Sequence, residues 1–87
     1  AVPQTNIVPS TGSASLSDVV QDRNGNPIVD VQVNVFHTGV VLDDKNIIAQ
    51  TYTDVHGKWE LNLDPGTYVI EFYHPKFKAF TENKTVQ

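Results

Sequence analysis

The stretch Trp59-Glu60-Leu61-Asn62-Leu63-Asp64-Pro65-Gly66-Thr67-Tyr68-Val69-Ile70-Glu71-Phe72-Tyr73 decides the fold. Trp59, Leu61 and Leu63 alternate with polar residues, Asp64-Pro65-Gly66 interrupts them, and Tyr68, Ile70 and Phe72 resume the alternation. Successive side chains on a strand point to opposite faces, so each run presents one apolar face. Pro suits the first central position of a tight turn, and Gly tolerates a backbone that other residues resist. The expectation is a β-hairpin lining one side of a core.

Working toward the N-terminus, Ile47 to Thr53 is a strand with Ile47, Ala49, Thr51 and Thr53 on one face, and Asp54-Val55-His56-Gly57 turns it into the strand Lys58 to Asp64. Ile28 to His37 is β-branched, with Val31, Val33 and Val35 opposite Gln32 and Asn34. Asp22-Arg23-Asn24-Gly25-Asn26-Pro27 is a turn, preceded by a strand from Ser15 to Asp22. Past Tyr73, His74-Pro75 breaks the strand Thr67 to Tyr73, apolar bulk returns at Phe77, Ala79 and Phe80, and Lys84 to Gln87 forms a last strand. No window carries the i, i+3, i+4 spacing of a helix. The fold class is all-β, a sandwich. Residues 1–13 hold Pro3, Pro9 and Gly12 among polar residues and read as a linker or extended arm, leaving 14–87 as the sandwich domain.

Three segments resemble known domains. Gly25-Asn26-Pro27 followed by Val31, Val33, Val35 and Phe36 resembles the start of transthyretin-like domains. Thr51-x-Thr53-Asp54-x-x-Gly57-x-Trp59 and Pro65-Gly66-Thr67-Tyr68-Val69-Ile70-Glu71 resemble segments of carboxypeptidase regulatory-like and Cna-B-type domains. The resemblance implies a prealbumin-like Greek-key β-sandwich of about seven strands. It also implies two activities that the residues do not match. Asp18 stands where the transthyretin-like hydroxyisourate hydrolases carry a strand His, and the chain ends Lys84-Thr85-Val86-Gln87 rather than in their Tyr-Arg-Gly-Ser. Glu71 resembles the carboxylate helper of a Cna-B isopeptide bond, but Val20 falls near the Lys position and the first strand has no Lys, so no such bond is expected.

Composition bounds the function. Ten acidic against six scattered basic residues leave no basic stripe to neutralise phosphates, so nucleic acid is not an expected partner. No apolar run reaches the ~18 residues of a membrane-spanning helix, so membrane insertion is not expected. With no Cys there is neither disulfide nor thiolate site. No Ser/His/acid or paired-carboxylate arrangement points to an enzyme or a cofactor.

Two binding surfaces are candidates. If successive strands run up and down, the turns Asp22 to Pro27, Asp54 to Gly57 and His74 to Phe77 share one end, which makes Asn24, His56 and His74 candidate partner-binding residues. His56, His74 and Asp54 are types that bind a zinc-like ion, and Asp22-x-Asn24-x-Asn26 resembles half a calcium loop without its downstream Glu. Turn chemistry explains all of these residues without a metal, and no metal is expected. The second candidate is the outward face bearing Phe36, Tyr52, Val69 and Tyr73, either an exposed partner patch or a surface covered by the N-terminal arm or by Phe77 to Phe80. Asn83-Lys84-Thr85 fits an N-glycosylation acceptor.

The expected function is a non-enzymatic spacer, display or adhesion module of a larger cell-surface, secreted or phage virion protein. Its partners would be neighbouring domains, another protein or a surface glycan. The alternative is a carbohydrate-binding module using Tyr52, Tyr73 and Trp59.

Overall fold

The computed structural model describes residues 14–87; the expected N-terminal arm lies outside the described residues. Six strands run in the order β1 (Ala14–Val19), β2 (Gln32–His37), β3 (Ala49–Tyr52), β4 (Lys58–Leu63), β5 (Gly66–His74) and β6 (Phe77–Val86), with a single 3-10 turn at Asp44–Asn46. They form two antiparallel sheets, β1-β4 and β3-β2-β5-β6, facing each other across one core. The fold is thus an all-β sandwich, with six strands among the described residues where about seven were expected. The expected first and second strands are shorter than their sequence patterns: Val20 to Val31 form a connection held by the Gln21–Pro27 bridge rather than extending either strand. The C-terminal segment departs the other way. Phe77 to Val86 is one continuous strand instead of an apolar segment and a short separate strand, because its backbone pairs with β5 from His74 back to Gly66.

The largest correction concerns the segment that decides the fold. Trp59–Leu63 and Tyr68–Phe72 do not pair. Among the described strands β4 pairs with β1, β5 pairs with β2 and β6, and Asp64-Pro65 carries the chain from one sheet to the other. Trp59, Leu61 and Leu63 therefore face Tyr68, Ile70 and Phe72 through the core rather than standing beside them. Trp59 meets Phe72 edge-on with ring centroids 5.9 Å apart, a geometry that aromatic quadrupoles favour. Tyr68 staples the corner, its hydroxyl donating to the Asp64 carbonyl at 2.5 Å, an arrangement resembling the tyrosine corner of immunoglobulin sandwiches.

The core is filled by Val20, Val31, Val33, Val35, Ala49, Trp59, Leu61, Leu63, Tyr68, Ile70, Phe72 and Val86. Each large side chain taken out of water here contributes roughly 1.5–3 kcal/mol before entropy is counted. β2 lies between β3 and β5, and its residues Gln32 to Phe36 are buried on both faces.

The two sheets meet along their sides, β1 beside β6 and β3 beside β4. On β6 the register puts Phe80, Glu82, Lys84 and Val86 on the core-facing side, opposite Phe72, Ile70, Tyr68 and Gly66. Charged residues pointing inward on an edge strand oppose pairing with another sheet. Lys84 uses its charge locally: its ammonium lies 3.0 Å from Asp18 Oδ2 on β1 and 3.6 Å from Glu82 Oε1.

Candidate functional site

Three connections do converge at one end, and hydrogen bonds weld two of them, the β1–β2 connection and the β3–β4 turn, together. Asp22 Oδ1 accepts the N–H groups of Asn24 at 2.8 Å and Asn26 at 2.9 Å, and Asp22 Oδ2 accepts Asn26 Nδ2 at 3.3 Å. Asp54 repeats the device, its Oδ1 accepting from His56 N at 2.8 Å and Lys58 N at 3.0 Å. These bonds favour the ionised carboxyls. The Asn26 amide leads in holding Asp22 below the usual Asp range, and the Lys58 and His56 amides do the same for Asp54.

Thr53 then joins the β3–β4 turn to the β1–β2 connection, its hydroxyl donating to the Ile28 carbonyl at 2.6 Å and accepting Val31 N–H at 2.9 Å. The Gly57 carbonyl accepts Val20 N–H at 2.7 Å. Gly57 has φ +73°, and a Cβ there would stand 2.4 Å from the Val20 carbonyl oxygen, so only glycine fits. The Thr-Asp-x-x-Gly segment is thus spent on architecture.

Asn24 and His74 line one cleft of about 460 Å³ at this end, with Val20, Ile28, Val31 and Phe72 among its apolar lining and Asp22, Arg23, Phe77, Lys78 and Phe80 also contributing. His56 is exposed and is not part of that lining. Among the described residues no group of three or more His, Cys, Asp or Glu side chains is placed to hold a metal. Phe80 stacks on Phe72 with centroids 4.8 Å apart and planes at 19°, and Phe77 stands edge-on to His74 at 5.2 Å. The register between β5 and β6 slips between Phe72 and His74; such an irregularity re-aims side chains, and it sits beside the cleft. Periodicity marked Phe77 and Phe80 only as returning apolar bulk. Their role as a cleft wall follows from the β5–β6 pairing, which has no local signature.

The outward face of the larger sheet differs from the expected patch. The register aligns Tyr52, Gln32 and Tyr73 in one row, Gln50, Asn34 and Glu71 in the next, and Phe36 with Val69 in a third. Phe36 shares this face but is 0% exposed, so it offers no partner surface, while Tyr52, Val69 and Tyr73 are half-buried. The middle of the face is a buried polar network. Asn34 Nδ2 donates to Gln32 Oε1 at 2.9 Å and Glu71 Oε1 at 3.1 Å, Gln50 Nε2 donates to Asn34 Oδ1 at 2.7 Å, and Gln32 Nε2 donates to the Tyr52 hydroxyl at 3.0 Å. Glu71 is therefore a buried acid with a partner, not a surface acid. Phe77 to Phe80 does not cover this face, because Phe80 stacks on the core-facing Phe72. Trp59, 2% exposed in the core, is removed from the sugar-stacking set. Asn83 is exposed on β6.

Two facing antiparallel sheets, a tyrosine-stapled crossing and loops welded at one end define an Ig-like β-sandwich module. The family model of the carboxypeptidase regulatory-like domain matches residues 15–87, nearly all of the chain. The chain belongs to that family, as the motifs around Thr53, Gly57 and Tyr68 implied. No curated protein and no solved structure matches the chain significantly.

Proposed function

We propose that this chain is a non-enzymatic module of a larger cell-surface, secreted or virion protein, serving there as a spacer, display or adhesion domain. The observation that carries this reading is the welding of the loop end. Thr53 and Gly57 bind the β3–β4 turn to the β1–β2 connection, and Asp54 braces that turn from within, so those loops are held on a stiff body instead of moving independently. A rigid sandwich that presents fixed loops is suited to recognition and spacing. Membership of a family whose domain is non-catalytic supports the same reading.

An antibody raised against the 87-residue chain tests the placement. Labelling of intact source cells or particles is expected. Labelling only after lysis would overturn the surface assignment.

A further inference from the structure

We propose that the cleft between the Val20–Ile28 connection and the start of β6 is a docking groove for an extended partner peptide carrying an apolar side chain beside a carboxylate. The inference rests on the binding-module reading and adds the place and chemistry of the partner.

Volume and lining come first. At about 460 Å³ the cleft lies within the ~300–1,000 Å³ of ordinary ligand pockets, and its lining is apolar at Val20, Ile28, Val31 and Phe72. It adjoins a smaller groove of about 170 Å³ between β1 and β6, which shares Val20, Gln21, Phe72 and Phe80 and adds Asp18, Val19, Trp59 and Glu82. An elongated depression of this kind suits an extended chain.

The mouth is apolar as well. Phe77 and Phe80 remain 50% and 52% exposed, yet both rings are positioned by their contacts with His74 and Phe72. Aromatic side chains already held in place lose little freedom when a partner covers them.

Charge selects the partner. Arg23 and Lys78 line the cleft, and among the described residues neither side chain has a hydrogen bond or an ion pair. The acid in the same lining, Asp22, directs its carboxylate into its own turn, and the acids of the adjoining groove, Asp18 and Glu82, are paired with Lys84. Two uncommitted cations thus flank an apolar hollow on a chain of net charge −4, which complements a carboxylate next to an apolar group. Residues 1–13 contain no acidic side chain, so these charges fit a partner better than that segment.

The test is an amide chemical-shift titration of the whole chain with a blocked hexapeptide alternating leucine and glutamate. The same peptide with lysine for glutamate and a soluble glucose oligosaccharide serve as the two controls. Shifts confined to Val20–Asn24 and Phe72–Phe80 are expected with the glutamate peptide. Arg23→Gln and Lys78→Gln should each weaken binding about three- to fivefold, as loss of an exposed charge pair does. Phe80→Ser should abolish it. Should Phe80→Ser fail to fold, the two charge variants, altered only at exposed side chains, decide alone. No shifts at millimolar peptide, shifts confined to the outward sheet face, equal binding of the lysine peptide, or saturation by the oligosaccharide instead would each overturn the proposal. Surface labelling is independent of all these outcomes, so failure here would leave the module assignment standing.

Discussion

Val20 and Gly57 are locked together at two points: the Val20 N–H donates to the Gly57 carbonyl at 2.7 Å, and the Val20 carbonyl oxygen occupies the space a Gly57 side chain would need. The same Val20 carbonyl accepts Ile28 N–H at 3.0 Å. One backbone position therefore ties β1, the β1–β2 connection and the β3–β4 turn.

Gly57→Ala must accept both a left-handed backbone and a Cβ against a backbone oxygen that cannot swing away. A loss of roughly 2–4 kcal/mol is expected, combining the αL cost with forced displacement. Urea denaturation measures it. Gly25→Ala, where a Cβ would meet nothing within 4 Å, should lose only the conformational part, about 1 kcal/mol. Equal losses at the two sites would contradict the close-contact account.

Tyr68→Phe removes the hydroxyl that donates to Asp64 while keeping the buried ring. The expected loss is about 1 kcal/mol, that of a single net hydrogen bond. An unchanged urea midpoint would show that the crossing holds without its staple.

Asn34 sits at the centre of the outward network, 0% exposed and bonded to Gln32, Gln50 and Glu71. Asn34→Ala leaves buried groups short of partners, at a cost of about 2–3 kcal/mol. Glu71→Gln retains an oxygen able to accept from Asn34 and should cost less. The reverse order in thermal denaturation would remove Asn34 from the centre of the network.

Acid should destabilise the fold through Asp18, Asp22 and Asp54. All three carboxyls are held below the usual Asp range when folded: Asp18 by the Val19 N–H and then Lys84, Asp22 and Asp54 by turn amides. A depressed carboxyl contributes stability above its unfolded pKa and loses it as pH falls through the folded value. The melting temperature should therefore fall as pH drops below about 4. Asp22→Asn and Asp54→Asn should each flatten that decline, and a parallel decline in both variants would refute their part in it. Lys84 is held above the usual lysine range, chiefly by its hydrogen bond to Asp18. Its contribution is complete below the unfolded value and fades as pH rises through the folded one.

Lys84 and Asp18 join the last strand to the first, the strands a Cna-B isopeptide bond would link, but as a solvent-accessible ion pair. Amide formation needs a neutral amine, and this pair stabilises the charged forms of both groups. The intact mass should equal that of the unmodified sequence. Loss of one water or one ammonia would show a crosslink.

Much of the architecture was legible residue by residue. Val33 and Val35 opposite Gln32 and Asn34, and Trp59, Leu61 and Leu63 opposite Glu60 and Asn62, state which side of each strand is apolar, because that alternation is a local property of the pleat. Turn chemistry likewise marked Asp22 and Asp54, whose carboxylates bond amides two and four residues away. The sharing of one end by three connections followed from strand direction, but the welding of two of them through Thr53 and Gly57 did not.

What the sequence by itself determined is roughly where β1 to β5 lie, which face of β4 and β5 packs into the core, and which family the chain resembles. Only the tertiary structure decided that Trp59–Leu63 and Tyr68–Phe72 oppose each other across the core instead of pairing. A hairpin and a crossing between sheets have the same period-two pattern and the same short turn; they differ in which distant strands supply the hydrogen bonds, here β1 for one and β2 and β6 for the other. The same non-local pairing buried Phe36, enclosed Asn34 and Glu71, and set Phe77 and Phe80 beside Arg23 at a cleft that neither segment encodes alone.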